Sequence, residues 1–155
     1  MASFWESTKV DGEDMKLYVC VPDGKGPFPA VVVIQHQGGG EQFVEDMTQR
    51  IASAGYVGVA PVLYHRDGPD CTDDGPTRRS RLQDVTVIKD VNATVAFLKG
   101  HPGVDSQRLG IVGFCMGGRV AYLMATVNPS FKAAAAYYRG NIMGTWGEGS
   151  SAFDS

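Results

Sequence analysis

The stretch that decides the reading is Arg108 to Tyr122, RLGIVGFCMGGRVAY. Leu109 to Val112 form a short run of strand-forming residues, Gly113-Phe114-Cys115-Met116-Gly117 follows, and the residues after it suit a helix. Strand, G-x-nucleophile-x-G and helix in that order describe a nucleophile elbow, with cysteine in the central position. A side chain presented at so sharp a turn needs very small neighbours two residues to either side, which Gly113 and Gly117 supply. The turn sets the Cys115 sulfur at the first turn of a helix, where unpaired N–H groups and the helix dipole favour negative charge. There the Met116 N–H is half of an oxyanion hole. A dinucleotide site fits less well, because G-x-G-x-x-G requires glycine where Cys115 stands.

Working outward, Ala30 to Ile34 is a solid apolar run, as expected of a strand covered on both faces. It empties into Gln35-His36-Gln37-Gly38-Gly39-Gly40, whose glycines let backbone amides approach an anion. A loop at this point supplies the second oxyanion N–H in hydrolases built on this plan. Phe43, Met47, Ile51 and Ala54 predict one apolar helix face that Gly55 terminates, and Tyr56 to Ala60 predict the next buried strand. Strand, helix and strand at this spacing form a parallel crossover. Upstream, Phe4 to Val10 and Met15 to Val21 predict a hairpin turning at Asp11-Gly12 and placed at the sheet edge.

Leu63 to Ser80 is a polar excursion of the length expected of a lid or binding loop, carrying Asp70, Asp73 and Asp74 and then Arg78 and Arg79, with Arg81 just beyond. Leu82 to Lys99 predicts a second helix with Val85, Ile88, Asn92 and Val95 near one face. Met116 to Val127 predicts a third, and Ala133 to Tyr138 one more buried strand.

The 155 residues, 43% of them hydrophobic, suffice for one domain spanning 1–155 with its own core. A net charge of -3 with no basic stripe argues against a nucleic-acid partner. No apolar run approaches the roughly 20 residues that span a bilayer, so no membrane partner is expected. Cys20, Cys71 and Cys115 form neither a CxxC pair nor a zinc pattern, and no histidine–carboxylate cluster has ligand spacing. Neither metal nor cofactor is therefore expected. Their odd number suits reduced thiols in a cytoplasmic protein.

Together PAVVVIQH, IASAGYVGVAPVLYHR and above all GIVGFCMGGRVAY resemble the dienelactone hydrolase (carboxymethylenebutenolidase) family over roughly Met15 to Tyr138. The resemblance implies an α/β-hydrolase-like three-layer sandwich, with a mostly parallel central sheet and an N-terminal antiparallel hairpin. It also implies a hydrolase whose cysteine attacks a small, carboxylated lactone or ester and forms a thioester that water cleaves. Cys115 matches the nucleophile, and Met116 and Gly38 match the backbone oxyanion donors. Arg81, Arg78 or Arg79 matches a carboxylate-binding arginine, with Arg81 nearest the following helix, and Tyr138 matches a pocket tyrosine.

Two departures qualify the likeness. Gln37 stands where family members commonly carry glutamate against the thiol, and an amide takes no proton at neutral pH. The triad acid and histidine follow the elbow helix in the family, whereas no histidine follows His101 here. His36, His65 and His101 are accordingly expected in loop or surface roles. The expectation is a C-terminally truncated member lacking the last strands, inactive or single-turnover alone. Its final strand would be an exposed sheet edge open to self-association. The alternative reading is a noncatalytic binding or interaction module on the same fold.

Overall fold

A computed structural model describes residues 1–39, 41–137 and 144–147. Among the described residues six strands form one sheet, in the order β1-β2-β4-β3-β5-β6. The hairpin of β1 (Ala2–Val10) and β2 (Glu13–Val21) turns through Asp11 and Gly12, both at positive φ. Two consecutive left-handed residues match the right-handed twist of the strands they join. β1 is the edge strand, and β2 also pairs antiparallel with β4 (Val57–Pro61). The β2 alternation therefore buries both faces, Met15, Leu17 and Val19 on one and Tyr18 and Cys20 on the other.

β3 (Phe28–Ile34) pairs parallel with β4 and with β5 (Val104–Phe114), which in turn pairs parallel with β6 (Phe131–Tyr137). The helix α1 (Glu41–Ser53) covers one face. On the other face lie α3 (Asp84–Lys99) and α4 (Met116–Val127), over the larger core. These are the three layers that the resemblance implies.

Both amphipathic helices before the elbow turn a different face inward from the one expected. In α1 the buried positions are Val44, Thr48 and Ala52, with Met47 and Ile51 half-buried, while Phe43 and Ala54 are exposed. Thr48 is tolerated inside because its hydroxyl donates to the Val44 carbonyl (2.6 Å). In α3 the buried set is Asp84, Val87, Asp90, Val91, Thr94, Val95 and Leu98, and Val85 is 55% exposed. Two carboxylates on the inner face displace the apolar pattern on which the expectation rests.

The 63–80 excursion is also more ordered than a loop. It contains a 3-10 turn, Leu63–Asp67, and a short helix, α2 (Gly75–Ser80), whose N-cap Asp74 accepts from the Thr77 amide (2.8 Å). Leu63 and Tyr64 are in the core, and the Leu63 amide donates to Gln35 Oε1 (3.0 Å). The His65 side chain is buried rather than at the surface, with its Nε2 meeting Asp90 Oδ1 (3.0 Å) on α3. Arg66 grips the same carboxylate through both terminal nitrogens at 2.8 Å.

Candidate active site

The elbow forms because its glycines let three backbone segments meet without intervening side chains. A Cβ on Gly113 would stand 1.8 Å from the Gly117 carbonyl oxygen, and one on Gly117 would stand 2.4 Å from that of Ile34. With both absent, α4 starts directly above the ends of β3 and β5. Cys115 between them adopts φ 57°, ψ -114°, a conformation that L-residues rarely occupy. Its amide donates to Tyr137 O at the end of β6 (2.7 Å), and its carbonyl accepts from the Gly118 and Arg119 amides (3.0 and 3.3 Å). The residue is thereby pinned on both sides while its side chain remains exposed.

The thiol faces an open cleft of about 520 Å³. It is lined by Phe114 and Cys115 at the elbow, by His36, Gln37 and Gly38 after β3, by Phe43 of α1, and by Gly75 and Pro76 of α2. Gly75 is required there, since a Cβ would lie 2.5 Å from the Gln37 carbonyl oxygen. That carbonyl also accepts from the Tyr64 hydroxyl (2.6 Å), which sits 3.5 Å from the Met116 sulfur. Burial pushes the Tyr64 hydroxyl up to about 12, against an opposing pull from the nearby Arg78. A run of rings lines the aromatic side: His36 to Phe43 at 5.6 Å, Phe43 edge-on to Phe114 at 5.1 Å, and Phe114 stacked on Tyr137 at 5.4 Å.

Cys115, Gln37 and Gly38 are thus brought together as expected from the sequence, and Met116 takes the first position of α4, where its N–H has no helical partner. The Gly38 N–H is already engaged, donating to His36 Nδ1 (3.0 Å). The arginines point elsewhere. Arg78 pairs with Asp67 (3.0 Å) and lies 4.7 Å over the Tyr64 ring, and Arg79 lies 5.4 Å over Trp146. Arg81 pairs with Asp67 and Asp73 in a separate hollow beside Cys71; the Asp73 hydrogen bond holds its guanidinium above the usual range. Tyr138 lies outside the described residues.

Four contributors to the cleft do not stand out in the sequence. By pattern Phe43 belongs to a buried helix face, His36 to a loop, and Gly75 and Pro76 to a lid. The local signal for the last two is the aspartate–Gly-Pro start of α2, a helix N-terminus pattern.

A second cluster holds the elbow helix in place. Arg119 of α4 donates to both oxygens of Asp84 (2.6 and 3.2 Å) and to the Gly144 carbonyl (2.5 Å), and its guanidinium lies 3.9 Å over Trp146. The Asp84 amide donates to Trp146 O (2.8 Å), and the Trp146 amide donates back to Asp84 Oδ2 (3.1 Å).

A protein of Methylorubrum extorquens named "Putative carboxymethylenebutenolidase" is 39% identical over 132 residues, covering 82% of this chain and 45% of the relative. A Bradyrhizobium protein named "Probable 2-oxo-3-(5-oxofuran-2-ylidene)propanoate lactonase" is 31% identical over 141 residues, 89% of this chain and 56% of that one. This chain therefore spans about half the length of these curated relatives. Among solved structures, a dienelactone hydrolase described as "Putative" from Klebsiella pneumoniae superposes with TM-score 0.78 at 37% identity, over 90% of this chain and 61% of that chain. The likeness extends to the α/β-hydrolase sheet with its helices. The sequence profile of the Dienelactone hydrolase family covers residues 15–146, and this chain belongs to that family.

Proposed function

We propose that the chain carries the acylating part of a cysteine hydrolase acting on a small, carboxylated lactone or ester. The observation that carries this reading is Cys115, held at φ 57° with its side chain exposed in a cleft at the N-terminus of α4. The sulfur adds to the substrate carbonyl carbon, the C–S bond forming as the carbonyl π pair moves onto oxygen; collapse then breaks the C–O bond, the leaving oxygen departs with its electron pair, and a thioester remains. The Met116 N–H receives the developing negative charge on oxygen. Hydrolysis of the thioester needs a base to activate water, and Gln37, the cleft residue in the position expected for an acid, cannot serve as one. This chain alone should therefore react once per thiol, or not turn over.

The carboxylated lactone is suggested by the name of the Bradyrhizobium relative. Arg78 or Arg81 would reach a substrate carboxylate only after leaving its aspartate partner. A cytoplasmic setting rests on the cysteine usage, and copies of this chain would pair through the outer edge of β6.

The test is mass spectrometry after exposure to p-nitrophenyl acetate. We expect one acetyl group mapped to Cys115, none there in Cys115→Ala, and turnover in a version extended to the relatives' length. Tight binding of a carboxylated lactone with no adduct would instead favour the noncatalytic module, for which Gln37 in the position expected for an acid speaks.

A further inference from the structure

His36 lies in the loop after β3, as expected, and there it lines the cleft that also contains Cys115. In the β3–β5 register Ile34 stands opposite Gly113, so the two chains leave the sheet side by side, and His36 and Cys115, each beyond the end of its strand, line the same cleft. The ring is folded back on its own loop, with Nδ1 accepting from the Gly38 amide (3.0 Å) and a Cβ on Gly38 excluded by the ring carbon at 2.9 Å. The same His-x-Gly turn recurs at His101, where the Gly103 amide donates to Nδ1 (3.0 Å). The turn is therefore a local backbone device, and at His36 it holds an imidazole in the cleft that Cys115 lines.

That hydrogen bond sets the tautomer. A nitrogen that accepts a hydrogen bond carries no proton, so the neutral ring has its proton on Nε2, at the opposite edge. Among the described residues Nε2 has no protein partner. In this tautomer His36 cannot act as a base through Nε2, but it can donate a hydrogen bond, as neutral imidazoles do to carbonyl oxygens elsewhere. The Gly38 amide meanwhile is withheld from substrate, because it holds the ring.

Resting on the reading of Cys115 as nucleophile, we infer that His36 Nε2–H is the second oxyanion donor of this site, with Gly38 positioning the ring rather than binding substrate. As sulfur attacks, the carbonyl π pair moves onto oxygen, between the Met116 N–H and His36 Nε2–H. The thiol proton passes to water. The C–O bond then breaks and the leaving group departs with its electron pair, while His36 keeps its proton throughout.

The experiment compares two reactions of the same sulfur. Acylation by p-nitrophenyl acetate passes through an oxyanion, whereas alkylation by iodoacetamide displaces iodide at saturated carbon and passes through none. His36→Ala should slow acylation of Cys115 roughly 100-fold and leave its alkylation rate unchanged. His36→Gln, which retains an N–H donor, should recover part of the loss. Equal slowing of both reactions would place His36 in support of the thiol or the fold, and unchanged acylation would remove it from the site; either result overturns the inference. Nitrogen-15 shifts of labelled histidine provide a second readout, and a proton found on Nδ1 of His36 at neutral pH also overturns it. If the unaltered chain takes up no acetyl group at Cys115, the nucleophile reading fails first. If it does and His36→Ala matches it, only this inference fails.

Discussion

The two elbow glycines are fixed by backbone rather than by flexible side chains, so substitution leaves little room for relief. Gly117→Ala brings a methyl against the Ile34 and Gln35 carbonyl oxygens (2.4 and 2.5 Å), and both belong to the chain leading out of the central strand β3. Overpacking against such atoms costs on the order of 3 kcal/mol. Thermal melting should show that loss, and any protein that still folds should acylate Cys115 more slowly, because the floor of the cleft has shifted. A variant that melts like the parent would refute this account of the turn. This part of the site was legible from sequence because the constraint is local: glycines two residues either side of a cysteine, between a strand and a helix, spell out the turn themselves. The place of His36 in the cleft was not legible, since it depends on how the loop after β3 folds back and on a side-chain hydrogen bond, neither of which leaves a pattern in the residues.

Arg119 and Asp84 couple two helices that are separate units in the sequence. Both side chains are buried, 3% and 9% exposed, so removing Arg119 leaves the Asp84 carboxylate stranded without its cation. Arg119→Met should cost about 3–5 kcal/mol in denaturant unfolding. Adding Asp84→Asn should restore much of that, because it removes the stranded charge and keeps an acceptor for the Trp146 amide. Strict additivity of the two changes would show that the pair is not coupled. The same carboxylate explains why the apolar pattern of α3 points to the wrong phase: periodicity assumes that polar residues face water, and Asp84 and Asp90 face inward because arginines on other elements neutralise them. Outside the 63–80 excursion, element types and order were legible, since strand runs, glycine stops and crossover lengths are carried by neighbours in sequence. Which face of a helix turns inward was decided by partners dozens of residues away.

Across the whole molecule, the charged and phenolic groups set opposite limits on stability with pH. Asp11, Asp73, Asp74 and Asp105 have carboxyls held below the usual range, chiefly by hydrogen bonds from Lys89, Arg81, Thr77 and Gln107 respectively. A lowered carboxyl makes the native state the weaker proton binder, so its contribution is present above the unfolded value near 4 and is lost as pH falls through the lower folded value. All four are at the surface, so this acid limb should be shallow and should flatten further in 1 M salt. Tyr64 acts at the other end. Its buried hydroxyl titrates at about 12 when folded, against about 10 when unfolded, so the native state binds the proton more tightly between those values. Its contribution is intact below pH 10 and declines as pH rises toward 12. Because burial is the main cause, salt should leave this limb largely unchanged. Urea midpoints measured from pH 3 to 11.5, at low and high salt, test both limbs. Tyr64→Phe should lower the neutral-pH midpoint through loss of the bond to the Gln37 carbonyl, and should also make the alkaline decline less steep. An alkaline slope that is the same in Tyr64→Phe and in the parent would show that the phenol does not set it.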